Sequence, residues 1–148
     1  MLQLKVLGCD RSSLPERLRD TRGVEWLGMV DKRSESERFF ALLRGSEVAV
    51  LLSRAEFGGM ALREYLALGL PILGPDVGGA PEHASRTASI LVAPNASPME
   101  IAEHLIVLAR RDETYQRLHT AAQQQANQAL WSNSLQRIAA IIGPPAQI

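Results

Sequence analysis

Short apolar runs alternate along the chain with stretches whose apolar residues recur every three or four positions. The runs are Leu2–Gly8 (LQLKVLG), Val24–Gly28 (VEWLG), Glu47–Ser53 (EVAVLLS), Pro71–Gly74 (PILG) and Ala88–Ala93 (ASILVA). Alternation of this kind marks βα units and predicts an α/β fold built on a doubly wound parallel sheet of about five strands. Several runs are apolar on both faces, as expected where helices cover both sides of a sheet.

The helices announce themselves at their starts. Ser34 and Glu37 make an S-x-x-E capping box ahead of RFFALLRGS, and Ser97 and Glu100 make a second, with Pro98 at the first helical position. From Pro98 the pattern stays helical almost to the end, with breaks expected near Asp112 and Trp131. The glutamine-rich AAQQQANQAL is expected to be a solvated helix face. With no internal repeat and no linker, residues 1–148 are expected to form one domain.

Composition excludes more than it names. Of 148 residues, 46% are hydrophobic and 22% charged, the profile of an ordinary globular chain. Lys+Arg and Asp+Glu are both 16, so a formal net charge of +0 gives no electrostatic case for a nucleic-acid or anionic-membrane partner. Cys9 is the single cysteine, so there is no disulfide framework and no thiolate metal cluster. No run reaches membrane-spanning length and MLQLKVLGCDRSS is too short in apolar residues for a signal peptide, so a cytoplasmic setting is expected.

The chemistry concentrates in SRAEFGGMALREYLALGLP, Ser53–Pro71. Glu56 and Glu64 stand seven residues apart, one after an apolar run and one inside an apolar helix expected to start near Gly59. On helical spacing Glu64 shares a face with Met60, Ala61, Ala67 and Leu68, while Arg63 points elsewhere. A carboxylate among apolar neighbours needs a hydrogen-bonding partner, which is either another element of the fold or a ligand. The loop EFGG, between strand and helix, aims backbone N–H groups outward at the positive end of a helix dipole, where a phosphate can approach glycine closely. In a doubly wound sheet this is also where ligands bind. The two carboxylates, on the order of 10 Å apart at ~1.5 Å per residue, suit hydroxyl-rich groups on either side of a diphosphate.

These residues, followed by ALGLPILGPDVGGAPE, resemble the donor half of the group 1 (family 4) glycosyltransferases, which have the GT-B fold with Rossmann-like halves. LKVLGCD is similar to the family's second strand of that half, GVEWLGMV to its V-x-F-x-G-x-V segment, RGSEVAVLLSRAE to the strand leading into the motif, and ALWSNSLQRI to its tryptophan-bearing terminal helix. The resemblance implies a nucleotide-sugar-binding domain of a retaining glycosyltransferase. It implies Glu56 as the catalytic residue, holding hydroxyls of the transferred sugar, and Glu64 on the ribose. Backbone N–H groups around Phe57, Gly58, Gly59 and Met60 would face the diphosphate, with Gly78 and Gly79 lining the same crevice and Gly28, Met29 and Val30 near the nucleobase. It implies no cofactor and no divalent metal, only a nucleotide-diphosphate sugar as donor substrate.

The chain departs from the family pattern in two places. The usual Glu-Gly-Phe-Gly is Glu-Phe-Gly-Gly here, and Phe57 is expected to plug the core beneath the loop. The family's first strand of this half, with its Arg and Lys facing the diphosphate, and the acceptor-binding half are expected to be absent. Arg11 and Arg54 are the candidates to replace that charge. An acceptor-binding partner, as domain or chain, and an oligomer are both compatible with this, as is a non-catalytic nucleotide-sugar-binding module or a scaffold with a decayed site. Without the central strand, Leu2–Gly8 is expected to pair directly with Glu47–Ser53, giving the order 2-1-3-4-5. His83 follows the GGAPE loop near this site, and a metal role is not expected of it. Cys9 is expected to be a half-buried thiol, and His104 and His119 to be packing or surface residues.

Overall fold

The computed structural model describes residues 2–128. Its contacts divide into two compact units between Gly45 and Ser46. ALWSNSLQRI and the second expected helix break lie outside the described residues.

In the first unit, β1 (Leu4–Val6) and β2 (Val24–Trp26) pair in parallel, Leu4 opposite Val24 and Val6 opposite Trp26. A 3-10 turn and α1 (Glu16–Arg19) connect them, and α2 (Ser36–Arg44) follows. The Arg19 guanidinium ties this connection down by donating to the Leu14 and Ser12 carbonyls, at 2.8 and 3.0 Å. Phe39 and Leu43 are buried on α2. Phe39 packs edge-on to Phe40, and the Lys32 ammonium lies 4.8 Å from its ring centroid.

The capping box expected at Ser34 does not form. Ser34 instead donates to Asp31 Oδ2 at 2.9 Å, and the Arg33 N–H donates to Asp31 Oδ1 at 3.0 Å. This turn built on Asp31 delays the helix to Ser36, with Glu35 at its cap position. These bonds hold the Asp31 carboxyl below its ordinary pKa, the backbone N–H of Arg33 contributing most.

In the second unit, β3 (Ala49–Val50), β4 (Ile72–Pro75) and β5 (Ser89–Val92) form a parallel sheet in the order β3-β4-β5. Helices α3 (Met60–Ala67) and α4 (Ala80–Ala84) are the crossovers, and α5 (Pro98–Ala109) and α6 (Glu113–Gln128) follow. β4 is buried at all four residues. On one side Leu73 and Val92 pack with Leu108, Tyr115 and Leu118 from α5 and α6. Elsewhere Leu62 of α3 lies so near the chain at Gly74 that a Cβ there would stand 3.6 Å from its methyl group.

Two helix ends follow their sequence signals. Ser97 Oγ accepts the Glu100 N–H at 3.2 Å with Pro98 inside the first turn, as expected. α3 closes through Gly69, at φ 71°, with Gly69 N–H donating to Leu66 and Leu70 N–H to Tyr65. That pair of bonds is a Schellman closure, and it delivers Pro71 straight into β4. The expected break at Asp112 falls between α5 and α6, where Asp112 Oδ1 accepts the Thr114 N–H at 3.0 Å.

The α/β class and the parallel strands are as expected, but the single sheet in 2-1-3-4-5 order is not. β1 pairs with β2, and β3 pairs with β4. Along β3, the Ala49 and Leu51 N–H groups donate to the Pro71 and Leu73 carbonyls, which ties this strand to β4. Among the described residues no helix is long and apolar enough to cross a membrane.

Candidate functional site

Two loops leave the carboxyl edge of the β3-β4-β5 sheet, one after β3 and one after β4. The first runs into α3, which opens at Gly59 in the left-handed region, φ 51° and ψ 23°. Glu56 shapes this turn. Its Oε1 accepts the Gly59 N–H at 2.9 Å, and its Oε2 accepts the Ser53 hydroxyl at 3.1 Å. With the loop curled back on itself in this way, the residue between the two ties is turned outward. Phe57 is 100% exposed, so the expected core plug is corrected.

The second loop reaches the first through its glycines. A Cβ on Gly78 would stand 2.0 Å from the Glu56 carbonyl oxygen, and one on Gly79 would stand 3.0 Å from that of Phe57. Only residues without a side chain let the two backbones come so close, and Gly78 also has φ 56°. His83 of α4 closes the third side. Its Cδ2 lies 2.7 Å from the place a Gly59 Cβ would occupy, and it also lies against Gly79. Glu56, Phe57, Gly58, Gly59, Gly78 and Gly79 therefore form one patch, with Met60 beginning the helix beside it, 63% exposed. Beyond Gly59, the N–H groups in the first turn of α3 have no intrahelical acceptor, and they point out at the positive end of the helix.

Glu64 sits farther along α3, half-buried. The buried face of the helix is the one carrying Leu62 and Leu66. Of the residues sharing Glu64's side, Met60 and Ala67 are exposed and Ala61 and Leu68 half-buried, so the expected apolar wall is only partly enclosed. The neighbouring Tyr65 phenol has its pKa raised, first by burial and second by the negative charge of Glu64.

The remaining expected residues lie apart in the chain. Gly28, Met29 and Val30 belong to the first unit, at the end of β2, where the Gly8 N–H donates to the Gly28 carbonyl at 2.8 Å. Gly28 has φ 67°, and Met29 is exposed. Arg11, also in that unit, is ion-paired with Asp20 and donates to the Arg19 carbonyl at 3.1 Å. Arg54 is exposed on the loop before Glu56. Cys9 is half-buried as expected, and His119 stacks on Tyr115.

Two residues of the site had no role in the sequence reading. Ser53 stands three positions before Glu56, the same S-x-x-E spacing that signals helix caps elsewhere in the chain, so a signal was present. His83 was placed near the site but given no partner, because its packing depends on a turn formed by glycines 78 and 79. Among the described residues, no group of three or more His, Cys, Asp or Glu is placed to hold a metal ion.

The family model for glycosyl transferases group 1 matches residues 1–111, a span that contains both loops and both glutamates. No curated protein matches the chain.

Proposed function

Since the chain belongs to the glycosyl transferases of group 1, we propose that the two glycine loops bind a nucleotide-diphosphate sugar and present it for transfer with retention. The observation that supports this most is the meeting of Glu56–Gly59 with Gly78–Gly79 at the mouth of α3. Backbone N–H groups of Gly58, Gly59 and Met60 take the diphosphate, whose charge the helix dipole favours. As the bond to the sugar breaks, negative charge grows on the departing phosphate, and donors already oriented toward it stabilise that charge. Glu56 accepts hydrogen bonds from hydroxyls of the sugar and fixes its orientation at the reacting centre.

Glu64, part-way along the helix, accepts from the ribose hydroxyls. No metal is needed in this reading, because backbone donors and the helix end carry the phosphate charge. The acceptor is brought to the sugar by a partner domain or chain, and without it the chain binds donor and turns over slowly or not at all.

Calorimetric titration with a panel of nucleoside diphosphates and their sugar conjugates tests the reading. Glu64→Gln should weaken both ligand classes by about 1–3 kcal/mol, the range for hydrogen bonds to a charged group. Glu56→Ala should lower affinity for the conjugate relative to the bare diphosphate. Equal changes for the two ligands would remove Glu56 from the sugar. No binding by any member of the panel would remove the function.

A further inference from the structure

The carboxylate of Glu56 is already occupied. One oxygen holds the Gly59 N–H and the other holds the Ser53 hydroxyl, at 2.9 and 3.1 Å. The Gly59 N–H is one of the donors that the reading above gives to the diphosphate, and a donor held this way by one anion is not available to a second. Resting on that reading, we propose that Glu56 is an internal anion seated in the mouth of α3, that the diphosphate of the donor displaces it, and that Ser53 is the positioning residue that holds it there.

The geometry restricts what can move. Gly78 packs on the Glu56 carbonyl and Gly79 on the Phe57 carbonyl, so the backbone at these two residues has little room to shift. A position one residue on is open, for a Cβ on Gly58 would meet nothing within 4 Å. Phe57 is exposed, so no core side chain has to leave when the loop responds. Displacement is therefore a swing of the Glu56 side chain about its own torsions. A carboxylate has about four lone-pair sites. Released from the helix mouth, it offers all of them to the sugar hydroxyls that arrive with the phosphate. Without ligand, the same carboxylate satisfies the helix end and keeps stray anions out by occupancy and like charge.

The test is calorimetric titration of inorganic pyrophosphate into the full chain and into Ser53→Ala, Glu56→Gln and Glu56→Ala. Ser53→Ala leaves every charge in place and loosens only the hold on Glu56, so pyrophosphate should bind about two- to fivefold tighter, the weight of one modest hydrogen bond. Glu56→Ala frees the N–H and removes the charge, and should tighten binding about tenfold or more. Glu56→Gln keeps an acceptor for the N–H, and should fall between the parent and Glu56→Ala. Thermal melts run alongside separate this from a folding defect, because a damaged loop would weaken binding. Unchanged or weaker pyrophosphate binding in Ser53→Ala overturns the proposal. If nucleoside diphosphates still bind in a Glu64-dependent way, the donor reading survives that result. If neither pyrophosphate nor nucleoside diphosphates bind to any of the four proteins, both fall together.

Discussion

The first unit and the second are written in the same alternation of apolar runs and helical patterns, yet they bury very different amounts. In the first, Phe39 and Leu43 are the buried hydrophobic residues among those described. The indole N–H of Trp26 is also enclosed there with no acceptor among the described residues, an arrangement costing about 1–3 kcal/mol. In the second, Leu62, Ile72, Leu73, Leu108 and Leu118 are all removed from solvent. The difference is already in the strands. β1 reads Leu-Lys-Val and β2 Val-Glu-Trp, with a charge at each centre, whereas β4 reads Ile-Leu-Gly-Pro and has none. In β2 the charged Glu25 is exposed between half-buried neighbours, and in β1 Leu4 is exposed and Lys5 half-buried, so neither strand has a buried residue. The glycine loops of the candidate site grow from the fully buried strand and its neighbour.

The largest effect that would break this comparison is a core truncation. Leu73→Ala removes a residue at 0% exposure from the centre of β4 and should cost about 2–5 kcal/mol. Leu4→Ala, at 37% exposure in β1, should cost less than about 1 kcal/mol. Urea unfolding of the two variants against the parent measures both. Equal losses would mean that burial in the two units does not differ in energy as it does in area.

Next in size is the close approach of the two loops. Gly78→Ala combines a left-handed backbone with a Cβ 2.0 Å from the Glu56 carbonyl oxygen, so the loops must part. A stability loss of about 1–3 kcal/mol is expected, together with loss of anion binding. Gly58→Ala is the control, since a Cβ there meets nothing within 4 Å and the backbone is not left-handed. If both alanines behave alike, the glycines are not what joins the loops.

How far these structures could be read in advance depended on whether the signal was local. The four-residue pattern S-x-x-E occurs at Ser13–Glu16, Ser34–Glu37, Ser53–Glu56 and Ser97–Glu100, and the last three have three different outcomes. At Ser97 it is a helix cap, as the following Pro98 and apolar run indicate. At Ser34 the upstream Asp31 captures the hydroxyl, so the cap is lost to a competing turn. At Ser53 the serine holds the glutamate side chain itself, at the entrance to the candidate site. Strand positions, the start of α3 and the glycine-rich loops were legible for the same local reasons. The sheet order was not, because which strands pair is decided between residues far apart in the chain, where no local pattern reaches.

The two cap candidates give a smaller and cleaner test between the units. Ser97→Ala should cost about 1 kcal/mol, the usual weight of an N-cap side chain. Ser34→Ala removes an exposed bond inside a turn and should change stability by less than about 0.5 kcal/mol. Denaturation midpoints of the single variants and of the double variant decide the matter. The effects should add, because the two serines share no partner.

The smallest effect is expected at Phe57, and it sharpens the comparison most, because it marks where the tight packing of the second unit stops. A phenylalanine plugging a core would lose about 3–5 kcal/mol on truncation to alanine. Phe57 is 100% exposed, held outward because Glu56 ties the loop to Gly59 on one side and to Ser53 on the other. Phe57→Ala should therefore leave the denaturation midpoint within about 0.5 kcal/mol of the parent. Its backbone carbonyl, which packs on Gly79, stays in place, so the meeting of the loops should survive as well. Pyrophosphate titration checks this second half, and an unchanged affinity is expected because the ring takes no part in holding Glu56. A loss of several kcal/mol would return Phe57 to the core. Unchanged stability with altered pyrophosphate affinity would instead show that the ring governs the Glu56 carboxylate from outside.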